Sequence, residues 1–336
     1  MNQKQTPILA AISIGDYMGI GMEVILKAFK GSLYDVVTPI VFADIAIGKH
    51  YAKRCNINNN LQAIKNIADA KPNYINFLSP ATNAKIVLKG VGGTKDSGLY
   101  AYDSLSAATD ALKAEEVGYL VTAPIDKSNI QGEKFHFAGH TEYLESAFEG
   151  NALMILCSEK LRVGLVTGHI PISAVAKAVT PEKISQKARL MYQSLESDFG
   201  IEKPRLAMLS LNPHCGDKGV IGTEDDKIIN PTIQNLQKEG LQVEGVFAAD
   251  GFFGSGCYQN FDGILAMYHD QGLASFKALS FGKGVNFTAG LSNIRTSPDH
   301  GTAFDIAGKN IADESSFSKA VLQGYEIYQN RYKNKK

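Results

Sequence analysis

The chain lacks several features that define large classes of function. It carries no excess charge, since 34 Lys and Arg balance 34 Asp and Glu across 336 residues. A balance near zero argues against a nucleic-acid or membrane-surface footprint and leaves room only for local basic patches. No long apolar run is present. The run Pro7–Ile14 stops at Gly15-Asp16, too short to span a bilayer, and no small-residue cleavage site follows it. The four cysteines, Cys55, Cys157, Cys215 and Cys257, form no C-x-x-C pair. Free thiols in a reducing cytoplasm fit that scatter better than a disulfide frame or a zinc knuckle. No repeat or low-complexity tract occurs, and the basic end "RYKNKK" reads as a solvated tail. Phosphate-loop motifs are missing too. "GDYMGIGMEV" follows the first strand and precedes a helix, but neither it, "GVGGTKDSG" nor "GFFGSG" satisfies G-x-G-x-x-G, and no G-x-x-x-x-G-K-[ST] is found. Without a G-x-S-x-G elbow, a serine hydrolase has no support.

What is present is an ordinary globular composition, 44% apolar and 20% charged, in a chain longer than one core usually serves. Strands are expected at "ILAAISI", "TPIVFA", "GYLVTAP", "LRVGLVTGHI", "RLAMLSL" and "GILAMYH". Helices are expected at "DSLSAATDALKAEE", "SSFSKAVLQGYEIYQNRY" and, most clearly, from Thr180 to Gly200. There Thr180 caps, Pro181 opens, and Ile184, Ala188, Met191, Leu195 and Phe199 form the stripe. Alternating strands and helices predict α/β domains with mostly parallel sheets, plus one hairpin at "LMILCSEKLRVGLV".

In such sheets ligands lie beyond the carboxyl ends of the strands. Three of the seven histidines, His169, His214 and His269, follow strand runs, each beside Gly or Pro. Neutral imidazoles ligate zinc and related divalent ions, and three would leave one position open for chemistry. Plain hydrogen-bonded strand-end histidines are the alternative. Asp250 and Asp270 are available as orienters or weak ligands. In "FHFAGHTEYLE", His140 and Thr141 fall at a helix start, where free N–H groups suit an anion or a simple cap; His136 stays unassigned. Residues 274–305 carry Lys277, Lys283, Asn286, Arg295, Asp299 and His300 with neither helical nor strand period. They are expected to form a loop able to hold phosphate or carboxylate.

Taken in order, "SIGDYMGIGMEVILKA", "VTAPIDKSNI", "FAGHTEYLE", "VTGHIPISAVAKAVT", "LNPHCGDKGVIGTED", "GVFAADGFF", "YHDQGLASFKAL" and "GVNFTAGLSNIRTSPDHGTAFDIAG" resemble the 4-hydroxythreonine-4-phosphate dehydrogenases of pyridoxal phosphate biosynthesis, nearly end to end. The resemblance implies a homodimer of two-domain α/β/α subunits, like isocitrate and isopropylmalate dehydrogenases in fold, with the active site in the interdomain cleft and at the dimer interface. Domains are expected at 1–128 plus 300–336 and at 129–299. It implies NAD or NADP as oxidant without a Rossmann fingerprint. It further implies a divalent metal (Zn, Mg or Co) on His169, His214 and His269, shared between subunits, and a phosphorylated substrate on His140, Thr141, Lys277, Asn286 and Arg295. Two departures stand out. Tyr17 and Met22 replace prolines usual in the first loop, which is expected to change its stiffness, and Cys215 stands where a small residue is usual.

The implied chemistry is oxidation of 4-phosphooxy-L-threonine to 2-amino-3-oxo-4-phosphooxybutanoate, a β-keto acid that decarboxylates to 3-amino-2-oxopropyl phosphate. Lys277, Asp250 and Asp270 are the candidates for general base. Rival readings are a dehydrogenase of phosphothreonate or phosphoerythronate, a metal-dependent lyase or hydrolase without nicotinamide, and a non-catalytic binding protein.

Overall fold

Short aliphatic runs that bury both faces cannot alternate polar and apolar residues, and the strands of this chain read accordingly. The computed structural model describes residues 7–90, 92–280 and 282–333. In chain order the elements are β1 (Ile8–Ser13), α1 (Gly21–Ala28), β2 (Val37–Phe42), α2 (Ile45–Arg54), β3 (Leu61–Ile64), β4 (Ile75–Leu78), α3 (Lys95–Lys113), β5 (Tyr119–Thr122) and α4 (His140–Ala147). Then come β6 (Gly150–Cys157), β7 (Arg162–Leu165), α5 (Ile172–Ala178), α6 (Pro181–Ser197), β8 (Leu206–Leu209), α7 (Asn230–Lys238), β9 (Val243–Phe247) and α8 (Ala249–Gly254). The chain closes with β10 (Gly263–Ala266), α9 (His269–Ser280), β11 (Val285–Leu291), β12 (Arg295–Pro298) and α10 (Ser315–Tyr328).

Two compact units emerge, residues 1–150 with 291–329, and residues 151–290 with 330–336. The sequence-based boundaries stood at 128/129 and 299/300. The structure gives three physical reasons for a different division. Tyr143 of α4 stacks on Phe135 and meets Tyr102 of α3 edge-on, which holds residues 129–150 with the first unit. β12 pairs in parallel with β5. At the chain's end, Arg331 forms an ion pair with buried Asp198, and Asn330 Nδ2 donates to the Asp198 carbonyl at 2.8 Å. Arg331 is therefore not part of a solvated tail; residues 334–336 lie outside the described residues.

In the first unit the strand order is β3-β4-β2-β1-β5-β12, and its printed pairs are all parallel. Helix α1 carries a buried pair in which Lys27 Nζ lies 2.9 Å from Glu23 Oε1. Glu23 also accepts from Gly308 N and Ala312 N, both at 3.0 Å, and so anchors the "TAFDIAG" segment on α1. Tyr17 tethers as well: its hydroxyl donates to Lys85 O at 3.3 Å and accepts from Val87 N at 3.2 Å. Its ring meets Tyr100 edge-on at 5.5 Å. The expected change in loop stiffness has a structural counterpart, because a side-chain tether stands where a proline ring would have fixed φ.

In the second unit the order is β11-β6-β7-β10-β8-β9. β7, β10, β8 and β9 run parallel, and β6–β7 is the one hairpin expected from sequence. A core of Leu156, Val163, Leu165, Ala207, Leu209, Ile264, Ala266 and Phe276 lies along these strands and α9. α6 begins as read: the Thr180 side chain accepts from Lys183 N, Pro181 is the first helical residue, and Ile184, Ala188, Met191 and Leu195 are buried. The stripe ends there, since Phe199 lies past the helix and is only half-buried.

Two expectations need correction. Residues 274–305 are not an irregular loop, because Lys277 sits on α9, Asn286 on β11 and Arg295 on β12. Gly, Asn and Thr broke the apolar pattern there, yet β11 and β12 bury most of their positions. His269 does not end a strand; it is the first residue of α9.

Candidate active site

In the second unit, β7, β10 and β8 are adjacent and parallel, so their carboxyl ends emerge on one edge of the sheet. His169 follows β7, His269 follows β10 and His214 follows β8. The chain past β7 is stitched to the chain past β10. Thr167 N and its hydroxyl both donate to Met267 O, at 3.1 and 2.7 Å. Gln271 extends the stitching, accepting from Met267 N at 2.7 Å while its Nε2 donates to Ser210 O at 2.5 Å. The His169 and His269 rings come to 5.6 Å between centroids. Nδ1–H of His269 donates to Asp270 Oδ1 at 2.7 Å, so Nε2 is the ring nitrogen not spent on Asp270.

His214 does not join them. Among the described residues no three His, Cys, Asp or Glu gather into a cation-holding group within the chain. The backbone at His214 is unusual, with φ positive at His214 (53°), Cys215 (56°), Gly216 (79°), Asp217 (43°), Lys218 (54°) and Gly219 (92°). A left-handed turn costs a non-glycine residue roughly 1–2 kcal/mol, so its four such residues store about 4–8 kcal/mol, less where His and Asp tolerate the region. Gly216 is required by space as well as by φ, since a Cβ there would lie 2.4 Å from Gly222 O. Cys215 Sγ donates to Val246 O at 3.5 Å. Burial first, then the nearby carboxylates Asp225 and Asp250, push its thiol up, against a lowering contact from Ser210. Asp250 lies in the first turn of α8.

Lys277 is exposed in the last turn of α9, about 12 Å of helix rise from His269. Asn286 is half-buried on β11, and its Oδ1 is shut from solvent with no hydrogen-bond partner among the described residues.

The first unit presents His140 and Thr141 as the first two residues of α4, after Gly139. Nε2 of His140 is buried without a hydrogen-bond partner among the described residues. Burial first, then Arg295 and Lys127, hold this imidazole well below its ordinary pKa, so it is neutral at pH 7. Arg295 is buried on β12, and its Nε and Nη2 donate to Thr122 Oγ1 at 3.0 and 2.6 Å. Desolvation pushes its pKa down to about 9, partly offset by Glu142, so the guanidinium stays charged at neutral pH. A neutral ring edge and a fixed cation together suit a phosphate or carboxylate oxygen. Sequence alone assigns no role to Thr122, Lys127 or Glu142, although Thr122 ends a strand, where ligands of such sheets gather.

Other candidates lie apart. His136 donates to Glu133 O at 2.8 Å in a local turn, and half-buried His300 closes on Gly301 O at 3.1 Å. Asp299 N donates to Ser316 Oγ at 3.1 Å and fixes the chain ahead of α10. The first strand–helix connection is closed: a Cβ on Gly15 (φ 64°) would lie 2.0 Å from Pro124 O. It is a packed turn and does not cradle a pyrophosphate.

These features describe an α/β protein with two separate clusters of polar and titratable groups, one on each unit. The pattern of the family "Pyridoxal phosphate biosynthetic protein PdxA" matches residues 35–323. A 4-hydroxythreonine-4-phosphate dehydrogenase of Bacteroides thetaiotaomicron is 42% identical over 99% of this chain and 92% of its own. One from Sulfurihydrogenibium sp. is 38% identical over 93% and 95%. Among solved structures, a 4-hydroxythreonine-4-phosphate dehydrogenase from Klebsiella pneumoniae superposes with a TM-score of 0.84 at 30% identity, covering 98% of this chain and all of that one. The chain belongs to the PdxA family of pyridoxal phosphate biosynthetic proteins.

Proposed function

We propose that the chain is a metal-assisted, NAD- or NADP-dependent dehydrogenase that oxidises 4-phosphooxy-L-threonine to 2-amino-3-oxo-4-phosphooxybutanoate, which loses CO₂ to give 3-amino-2-oxopropyl phosphate. The observation that carries this reading is the convergence of His169 and His269 from neighbouring parallel strands, with His214 delivered from the third. Two imidazoles at that spacing, one with its Nδ1–H engaged by a carboxylate, match the donor chemistry of a Zn or Co site better than that of Mg, which favours oxygen ligands. A divalent cation held by these residues would supply Lewis acidity, the chemistry that favours loss of the alcohol proton and then of CO₂.

His169, His214 and His269 hold the cation in this reading, and His214 comes from the second copy of a homodimer. Exposed apolar side chains beside these histidines, Ile170, Ile172, Val220 and Ile221, are what a covering protomer would bury. Arg295 and Lys277 bind the anionic groups of the substrate. His140 offers its unpartnered Nε2, Thr141 its hydroxyl and helix-start N–H, and Asn286 its unpartnered Oδ1. The last is an acceptor and suits a substrate hydroxyl or ammonium. Asp270 orients His269, a role its hydrogen bond supports better than proton abstraction. Asp250 and Lys277 remain the candidates for moving the alcohol proton. Nicotinamide dinucleotide takes the hydride when bound; no residue of this chain is assigned to it. The names of the relatives and the absence, among the described residues, of any helix long and apolar enough to cross a membrane are consistent with a cytoplasmic metabolic enzyme.

The test is metal content and turnover of His169→Ala, His214→Ala and His269→Ala. Each is expected to lose bound metal and turnover together. Full turnover in any of them after chelation would refute the ligand set.

A further inference from the structure

We infer that Asp225 is a positioning residue for His214, a role that rests on the reading of His214 as a metal ligand. The side chain is 1% exposed, yet it spends both oxygens on the two residues that lead into the left-handed turn. Oδ1 accepts from Leu211 N at 2.7 Å, and Oδ2 accepts from Asn212 N at 3.0 Å and from Asn212 Nδ2 at 2.9 Å. Glu224 Oε2 takes the same Asn212 amide at 2.9 Å. The bonds therefore reach back across the turn and tie its entrance to its exit. His214 is separated from the fixed residue Asn212 only by Pro213, whose ring limits the rotation between them.

A run of left-handed residues does not persist unless its surroundings over-determine it. Here the entry is clamped by Asp225, the middle by Gly216 packed on Gly222 and by Cys215 on Val246 O, and the exit by Ile221 N donating to Gly216 O at 3.1 Å. The one clamp that is both charged and buried is Asp225. Charge-assisted bonds to backbone N–H groups are the strong kind, and an amide in its place would turn an NH₂ toward N–H donors. Loosening this clamp leaves the imidazole in the chain but frees its direction, and ligand direction is what a metal site depends on.

The experiment titrates Co²⁺ into chelator-stripped full-length protein and follows the visible ligand-field absorption, for the parent, His214→Ala, Asp225→Asn and the milder Asn212→Ala. Asp225→Asn is expected to bind Co²⁺ at least about tenfold more weakly, with shifted band positions at saturation, which lower stability alone would not produce. Asn212→Ala, which keeps Asp225 and its backbone bonds, is expected to shift in the same direction by less. If Asp225→Asn does not fold, the Asn212→Ala spectrum decides. A parent-like spectrum and affinity in the Asp225 variant, or in Asn212→Ala where that variant decides, overturns the positioning role while impaired His214→Ala keeps the ligand reading. Parent-like Co²⁺ binding by His214→Ala overturns both.

Discussion

Replacing Thr122 with Val tests how far one hydroxyl helps to hold a buried cation ready. Val matches Thr in shape, so the β5 position stays filled, but Arg295 Nε and Nη2 lose the oxygen that accepts them at 3.0 and 2.6 Å. Hydrogen bonds to a charged group are worth about 1.5–3 kcal/mol net. Arg295 keeps other interactions, so one such loss is the fair figure for the pair sharing one oxygen. For 336 residues at about 2.1 cal/mol/K each, or about 1.4 °C per kcal/mol, that corresponds to roughly 2–4 °C in midpoint. Thr122→Ser is the control. It keeps the acceptor and removes one methyl, costing about 0.8 kcal/mol. Urea unfolding of both variants gives the stability difference, and steady-state kinetics give the functional one. Under the proposed function, Thr122→Val raises KM for the phosphorylated substrate severalfold more than it lowers kcat, because Arg295 is a binding cation. A Thr122→Val protein as stable as Thr122→Ser, with unchanged KM, would refute the reasoning.

Further outcomes follow from single groups. His140 has a folded pKa held well below its unfolded value near 6.5, so the fold binds fewer protons than the unfolded chain below that pH. Its contribution to stability is present above pH 6.5 and lost as pH falls below it, by up to about 1.4 kcal/mol per pH unit. His140→Asn should therefore flatten the fall in urea-unfolding free energy between pH 7 and 5; an unchanged slope contradicts the assignment. Glu23→Gln leaves Lys27 buried without its acid and should cost about 3–5 kcal/mol in denaturant, and a change under 1 kcal/mol would count against the pair. Asp270→Asn keeps the His269 contact but loses its charge. It should weaken metal binding, by less than the 10–100-fold seen for enclosed partners because Asp270 is exposed.

Much of this arrangement was legible in the sequence. The strands could be read because both-face burial makes unbroken aliphatic runs, and α6 because Thr180 and Pro181 mark its start. The histidines could be found because strand ends in α/β sheets are few and the residue type is rare. β11 and β12 were missed because Asn286, Thr288, Gly290 and Thr296 interrupt the pattern while tertiary pairing, with β12 on β5, still forms the strands. Thr122 and Asp225 escaped for another reason. A Thr on a strand and an Asp opening a helical turn carry no local sign that one accepts a guanidinium across 173 residues and the other clamps a left-handed turn. Tyr17 shows the same limit, since its role as a tether depends on where residues 85–87 pass.

The central claim is tested most directly by NAD and NADP reduction with 4-phosphooxy-L-threonine, beside phosphothreonate and phosphoerythronate, before and after chelation. The account predicts metal-dependent reduction that strongly favours the amino acid. Preference for the acid sugars would contradict the assigned substrate, and no reduction with any of the three would contradict the dehydrogenase reading itself.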